Sequence, residues 1–191
     1  MQIGFVMYNG LTALDFIGIH DAVTRLKTMG FNENICWETC ALTERVTATG
    51  KVTFEPTAVG EELDRFDVVV VPGCVDVDSV TADDELIGWI GTAKGADLLV
   101  SVCTGSILLA AAGLLKDIPA TTHPTAYDTL SEYCEVIDDR IVDTGDIITA
   151  RGVTSSIDLG LHLCEKFADR ETREAIAAQM DYPHYSGSQA T

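Results

Sequence analysis

Apolar and polar positions along the chain fall into short, regular runs that predict individual elements. Residues 3–8 form an apolar run of strand length, closed by the turn pair Asn9-Gly10. Leu14, Ile17, Ala22, Val23 and Leu26 then recur near the helical period, and Gly30 supplies a stop. Residues 35–42 predict a second strand. Residues 45–54, folded about Gly50-Lys51, alternate like a hairpin and are placed as an excursion at the sheet edge, with the acidic stretch after Pro56 read as surface. Residues 67–71 (DVVVV) are a β-branched run ended by Pro72-Gly73, the pattern of a parallel strand covered on both faces. Residues 83–93 predict a helix and 97–102 another buried strand. At Cys103 strand passes to helix with no loop between, because residues 104–115 are small or apolar and helix-compatible.

Beyond that junction, 120–122 predict a brief strand, 124–133 a helix, and 135–149 a pair of short strands turning at 143–146. Thr154 or Ser155 can cap a helix reaching about Phe167. An acid- and Ala-rich helix follows to Met180, and the tail from Asp181 is polar and aromatic. Alternating strands and helices predict one α/β domain over residues 1–191, a three-layer α/β/α sandwich around a mostly parallel central sheet. In such a fold, sites lie beyond the carboxyl ends of the strands.

Composition narrows the partners. With 47% apolar residues over 191, the chain can bury a core without disulfides or a structural metal. No apolar run is long enough to span a bilayer, and MQIGFVMYNG lacks a signal peptide's basic start and cleavage site, so no membrane association and a cytoplasmic location are expected. Thirty acidic residues against twelve basic ones give a net charge of −18, which repels nucleic acids and anionic lipid. The acid is scattered rather than gathered in a tail, a pattern that points to a halophile, whose molar salt screens such self-repulsion. Of the six cysteines, Cys36 and Cys40 have no second pair to complete a zinc set, so free thiols and no metal site are expected.

Cys103 carries the chemical signal. A thiol at the first turn of a helix faces unpaired N–H groups and the positive end of the helix dipole, which lowers its pKa and exposes a thiolate at the sheet's carboxyl edge. The Thr104 N–H would sit where an oxyanion needs a donor, the layout of a nucleophile elbow. Position alone leaves two readings even, a nucleophile or a small buried hydrophobe.

Four motifs break the tie. VCTGS at 102–106 followed by ATTH at 120–123, with LDFIG at 14–18 and VPG at 71–73, resembles the ThiJ/PfpI superfamily (class I glutamine amidotransferase-like), and within it the isonitrile hydratase branch. The similarity runs from the first strand to QMDYP near the end of the chain. It implies a flavodoxin-like fold, a homodimer, no cofactor, a nucleophilic cysteine matching Cys103 and a carboxylic acid matching Asp15. Glyoxalase-like and deglycase-like relatives typically carry Glu at that position, so Asp15 points to the hydratase branch and to a small uncharged isonitrile as substrate. A carboxyl pressed against a thiol in a dry pocket should have a raised pKa. His123 matches a histidine near the nucleophile across the superfamily, contacting the cysteine or packing behind it. His20, His162 and His184 have no motif support.

The departure is at position 74. Relatives usually read Pro-Gly-Gly, where a glycine N–H helps form the oxyanion site, whereas this chain has Pro72-Gly73-Cys74. Cys74 is either an incidental substitution or a resolving thiol for oxidised Cys103. The rival functions are glyoxalase or deglycase chemistry on small dicarbonyls and a cysteine-based redox sensor or chaperone without turnover. A transcriptional role is disfavoured, because the chain ends soon after its last family motif.

Overall fold

A computed structural model describes residues 1–182; the end of QMDYP, His184 and the remaining tail lie outside the described residues. Among the described residues there are nine strands: β1 (Gln2–Val6), β2 (Cys36–Ala41), β3 (Val46–Thr47), β4 (Thr53–Phe54), β5 (Ala58–Val59), β6 (Val68–Val71), β7 (Leu98–Val102), β8 (Ile141–Asp143) and β9 (Ile147–Ala150). The helices are α1 (Ala13–Thr28), α2 (Val77–Thr81), α3 (Asp84–Gly91), α4 (Gly105–Ala111), α5 (Tyr127–Ser131), α6 (Ser155–Phe167) and α7 (Arg170–Gln179). Seven strands form one sheet in the order β5-β2-β1-β6-β7-β9-β8, parallel throughout except for the antiparallel edge strand β8. The core order β2-β1-β6-β7-β9 is that of a flavodoxin-like sheet, in which successive strands are laid down outward from β1 in one direction and then from β6 in the other, leaving a crevice between β1 and β6.

Burial follows the apolar pattern. All four valines of β6 and all five residues of β7 are buried, as strands sandwiched between helical layers must be. On one face α1 packs on α6, and α7 covers both; α2, α3 and α5 gather around α4 on the other. The α1–α6 crossing is close because glycines line it. A Cβ on Gly18 would overlap the Ser156 side chain, and one on Gly160 would lie 2.8 Å from Ala22 Cβ.

Three segments differ from the sequence reading. The hairpin of β3 and β4, turning through Gly50 (φ +70°) and Lys51 (φ +63°), is not at the sheet edge. It bonds to the β1–α1 loop, where Gly10 N–H donates to Thr47 O at 2.8 Å and Thr49 N–H to Leu11 O at 2.9 Å. The stretch after Pro56 is not all surface, since it contributes the edge strand β5 with Ala58 buried against β2. Residues 120–122 are buried but make only one bridge, Ala120 to Val136, because Thr121 N–H donates to the Thr149 side chain of β9 and Thr122 Oγ1 to Cys103 O, neither of which is a ladder bond. Among the described residues, no helix is long and apolar enough to cross a membrane.

Candidate active site

The sheet brings three loops together where β1, β6 and β7 end. Val102 of β7 pairs in parallel with Ala150 of β9, and the Cys103 N–H donates to both Ala150 O and Arg151 O at 3.0 Å. Cys103 then turns sharply, with φ +57°, the left-handed region that a non-glycine residue occupies only when its surroundings hold it there. Two side chains secure its carbonyl: Thr122 Oγ1 donates to it at 2.9 Å and Ser106 Oγ at 3.4 Å. Thr122 is the residue of the ATTH segment that contacts the cysteine.

The turn needs glycine on both sides. A Cβ on Gly73 would lie 2.6 Å from Thr104 N and 2.8 Å from Cys103 Cβ, and one on Gly105 would strike Val71 O and the Pro72 carbonyl. Gly73 and Gly105 therefore let the 71–74 and 103–105 segments touch backbone to backbone.

Asp15 stands in the first turn of α1, fully buried. Its Oδ2 accepts from Gly73 N–H at 3.2 Å, and among the described residues its Oδ1, also buried, has no hydrogen-bond partner. The carboxyl and the Cys103 thiol act directly on each other. Burial lifts Asp15 from the ordinary carboxylate range to about 7, against the opposing effects of the Gly73 N–H and the thiol.

Burial and the Asp15 charge push the Cys103 thiol up to about 12, opposed by the N–H groups of Thr104 and Val153. This corrects the expectation of an exposed, acidified thiol. Cys103 is only 4% exposed, and a seven-residue α4 with a carboxylate beside the sulfur cannot offset desolvation.

The remaining expected residues divide. The backbone N–H groups of Thr104 and of Val153 both favour the charged form of the sulfur. Cys74 does not offer a free N–H, because Thr104 Oγ1 accepts it at 2.8 Å and returns its own proton to Cys74 O at 2.7 Å. Nor does Cys74 strain the backbone, as its φ lies outside the left-handed region. Its thiol is buried, and burial raises its pKa. Gly73 contributes its N–H to Asp15. His123 has its ring against Gly152 and its Nδ1 2.8 Å from Thr125 Oγ1. His20 meets Phe5 edge-on and Phe16 at a tilt, and His162 pairs with Asp143.

Two neighbours escaped the sequence reading. Val153 contributes only a backbone N–H, which no side-chain pattern marks. Tyr8 reads as the last apolar residue of a strand, yet its hydroxyl reaches the site, where it interacts with Cys74, Asp15 and Cys103. Turn chemistry was the one available signal, since Tyr8 precedes Asn9-Gly10. All six cysteines are free, and among the described residues no three His, Cys, Asp or Glu side chains cluster to hold a metal ion.

Comparison with known proteins places the chain and its fold. The chain is 32% identical to isonitrile hydratase of Pseudomonas putida, over 100% of its own length and 84% of that protein. A ThiJ/PfpI family protein from Pseudomonas syringae superposes with a TM-score of 0.85 at 28% identity, covering 100% of this chain and 78% of that one. DJ-1beta of Drosophila melanogaster shares the fold, with a TM-score of 0.82 at 22% identity over 96% and 98% of the two chains. The model of the DJ-1/PfpI family matches residues 1–166, from β1 through nearly all of α6. A buried cysteine at a left-handed turn beside a buried carboxyl thus sits on a scaffold matched along most of its length, and the chain belongs to the DJ-1/PfpI family.

Proposed function

We propose that this chain hydrates isonitriles to N-substituted formamides, with Cys103 as nucleophile and Asp15 as proton carrier. The observation that carries the reading is the buried pair. A carboxyl titrating at about pH 7 acts directly on a thiol pushed up to about 12, so once the carboxyl ionises the pair keeps one proton, which rests on sulfur and passes to oxygen as the sulfur reacts. An isonitrile needs both partners at once, because its terminal carbon accepts a nucleophile and a proton at the same atom.

In the first step the Cys103 thiolate forms a C–S bond to the terminal carbon while the Asp15 O–H protonates that carbon, giving a thioimidate R–N=CH–S–Cys103. Asp15, now a carboxylate, takes a proton from water whose oxygen adds to the thioimidate carbon, and passes that proton to nitrogen. The C–S bond then breaks, the hydroxyl proton returns to Asp15, and R–NH–CHO leaves. One water is consumed and the thiolate–acid pair is restored. The N–H groups of Thr104 and Val153 favour sulfur's charged form at attack and departure.

Full-length similarity to the Pseudomonas putida isonitrile hydratase supports the substrate class. So does Asp rather than Glu at position 15, following the family resemblance. The test is formamide production from an alkyl isonitrile by purified protein, followed by NMR. Cys103→Ala is expected to fall at least about a thousandfold. No formamide, or an equal rate from Cys103→Ala, overturns the reading. Lactate from methylglyoxal would instead assign glyoxalase chemistry, and reversible peroxide oxidation of Cys103 without turnover would assign redox sensing.

A further inference from the structure

Two hydrogen bonds converge on a single amide beside the site. The Tyr8 hydroxyl, buried behind β1, donates to Pro72 O at 2.8 Å, and the next residue's N–H, that of Gly73, donates to Asp15 Oδ2 at 3.2 Å. The Pro72 carbonyl and the Gly73 N–H are opposite ends of one peptide plane, so Tyr8 and Asp15 grip it from both sides. Hydrogen bonds in series polarise one another: a donor on the carbonyl makes the N–H of the same amide a stronger donor. The plane is fixed in place as well. Gly73 O accepts from Thr12 N–H at 2.8 Å, and backbone contact with Thr104 leaves no room beside Gly73.

We infer that Tyr8 is a positioning residue that orients Asp15 and sets its proton affinity through the Pro72–Gly73 peptide, without touching the reacting atoms. With Oδ2 committed to an N–H, Oδ1 is the oxygen that carries the exchangeable proton. Burial raises the Tyr8 phenol, so it stays a neutral donor throughout the titration of Asp15. The other titratable groups at this point are the Cys103 thiol at the end of β7 and the Cys74 thiol after β6, with Asp76 acting on Cys74.

The inference rests on Cys103 and Asp15 being the working pair, but its test needs no substrate. The rate of Cys103 alkylation by iodoacetamide is measured from about pH 5 to 9 by peptide mass spectrometry, which separates Cys103 from the other five thiols. In the unaltered protein the rate should rise through the Asp15 titration to a plateau. Tyr8→Phe keeps the ring and loses only the donor. Asp15 then holds its proton more tightly, so the midpoint should move up by roughly half a unit. The plateau should rise about threefold, because the form with protonated carboxyl and ionised sulfur becomes more populated. Incorporating 3-fluorotyrosine into the unaltered sequence strengthens the phenolic donor and should move the midpoint down, a measurement that does not depend on any variant folding. On an Asp15→Asn background, Tyr8→Phe should change nothing.

Unmoved midpoints in Tyr8→Phe and the fluorinated protein overturn the inference, even if Tyr8→Phe lowers Tm. So does an equal rate change on the Asp15→Asn background. Shifted midpoints in a protein that makes no formamide leave the inference standing and remove the isonitrile reading.

Discussion

Asp15 pays for its place in the pocket with stability, and the sign can be worked out. In the unfolded chain an aspartate ionises near pH 4, whereas in the fold burial holds Asp15 protonated up to about pH 7. Between those values the native state binds more protons than the unfolded state, so stability falls as pH rises through the window and levels off above it. Asp15→Asn removes the charge and keeps an oxygen for the Gly73 N–H. It is expected to raise Tm at pH 8, by an amount on the order of 3 kcal/mol in stability that shrinks to nothing near pH 4. Thermal scans across pH measure this, and parallel curves for the two proteins would refute it. Cys103 and Asp15 were readable from a strand-to-helix junction and four motifs. Val153 and Tyr8 were not, because the first acts through its main chain and the second through a hydroxyl that only the folded β1–β6 crevice brings near the carboxyl. The thiol's electrostatics were also hidden, since burial depth depends on loops distant in sequence.

At the scale of elements, the position of Asp15 depends on how α1 seats on α6. Gly18 lies one turn beyond Asp15, and Gly18→Ala would drive a methyl group into Ser156. Pushing α1 outward should cost about 2 kcal/mol and carry the carboxyl away from the sulfur. Denaturant unfolding should show the loss, and Cys103 alkylation should lose its Asp15-dependent midpoint. An unchanged midpoint would show that the helix absorbs the methyl group without moving Asp15. The long helices α1 and α6 were legible because each carries enough apolar positions to reveal its period, and β6 and β7 because each is a nearly unbroken apolar run. The two-residue β5 and five-residue α2 are too short to show one. The single bridge at Ala120 reads as a strand in sequence because its neighbours Thr121 and Thr122 are β-branched. Tertiary hydrogen bonds, which leave no periodic trace, decide their conformation.

For the whole molecule, the layer order followed from alternation of strand and helix runs, while charge makes a separate prediction. A net −18 spread over a chain of this size opposes compaction through self-repulsion, and added salt screens it. Raising KCl from about 0.1 to 2 M should raise Tm by at least roughly 5 °C. A flat or falling Tm measured by calorimetry would show that local ion pairs already balance the surface. The antiparallel edge strand and the β3–β4 hairpin were harder to place at this scale, since their partners are chosen by packing and not by their own patterns.

The segment 72–74 meets the rest of the site through carbonyls and amide hydrogens: Pro72 O to Tyr8, Gly73 N–H to Asp15, and both polar groups of Cys74 to Thr104. Any small residue at 74 could supply those same backbone contacts, so the 72–74 segment holds the site whatever short side chain stands there.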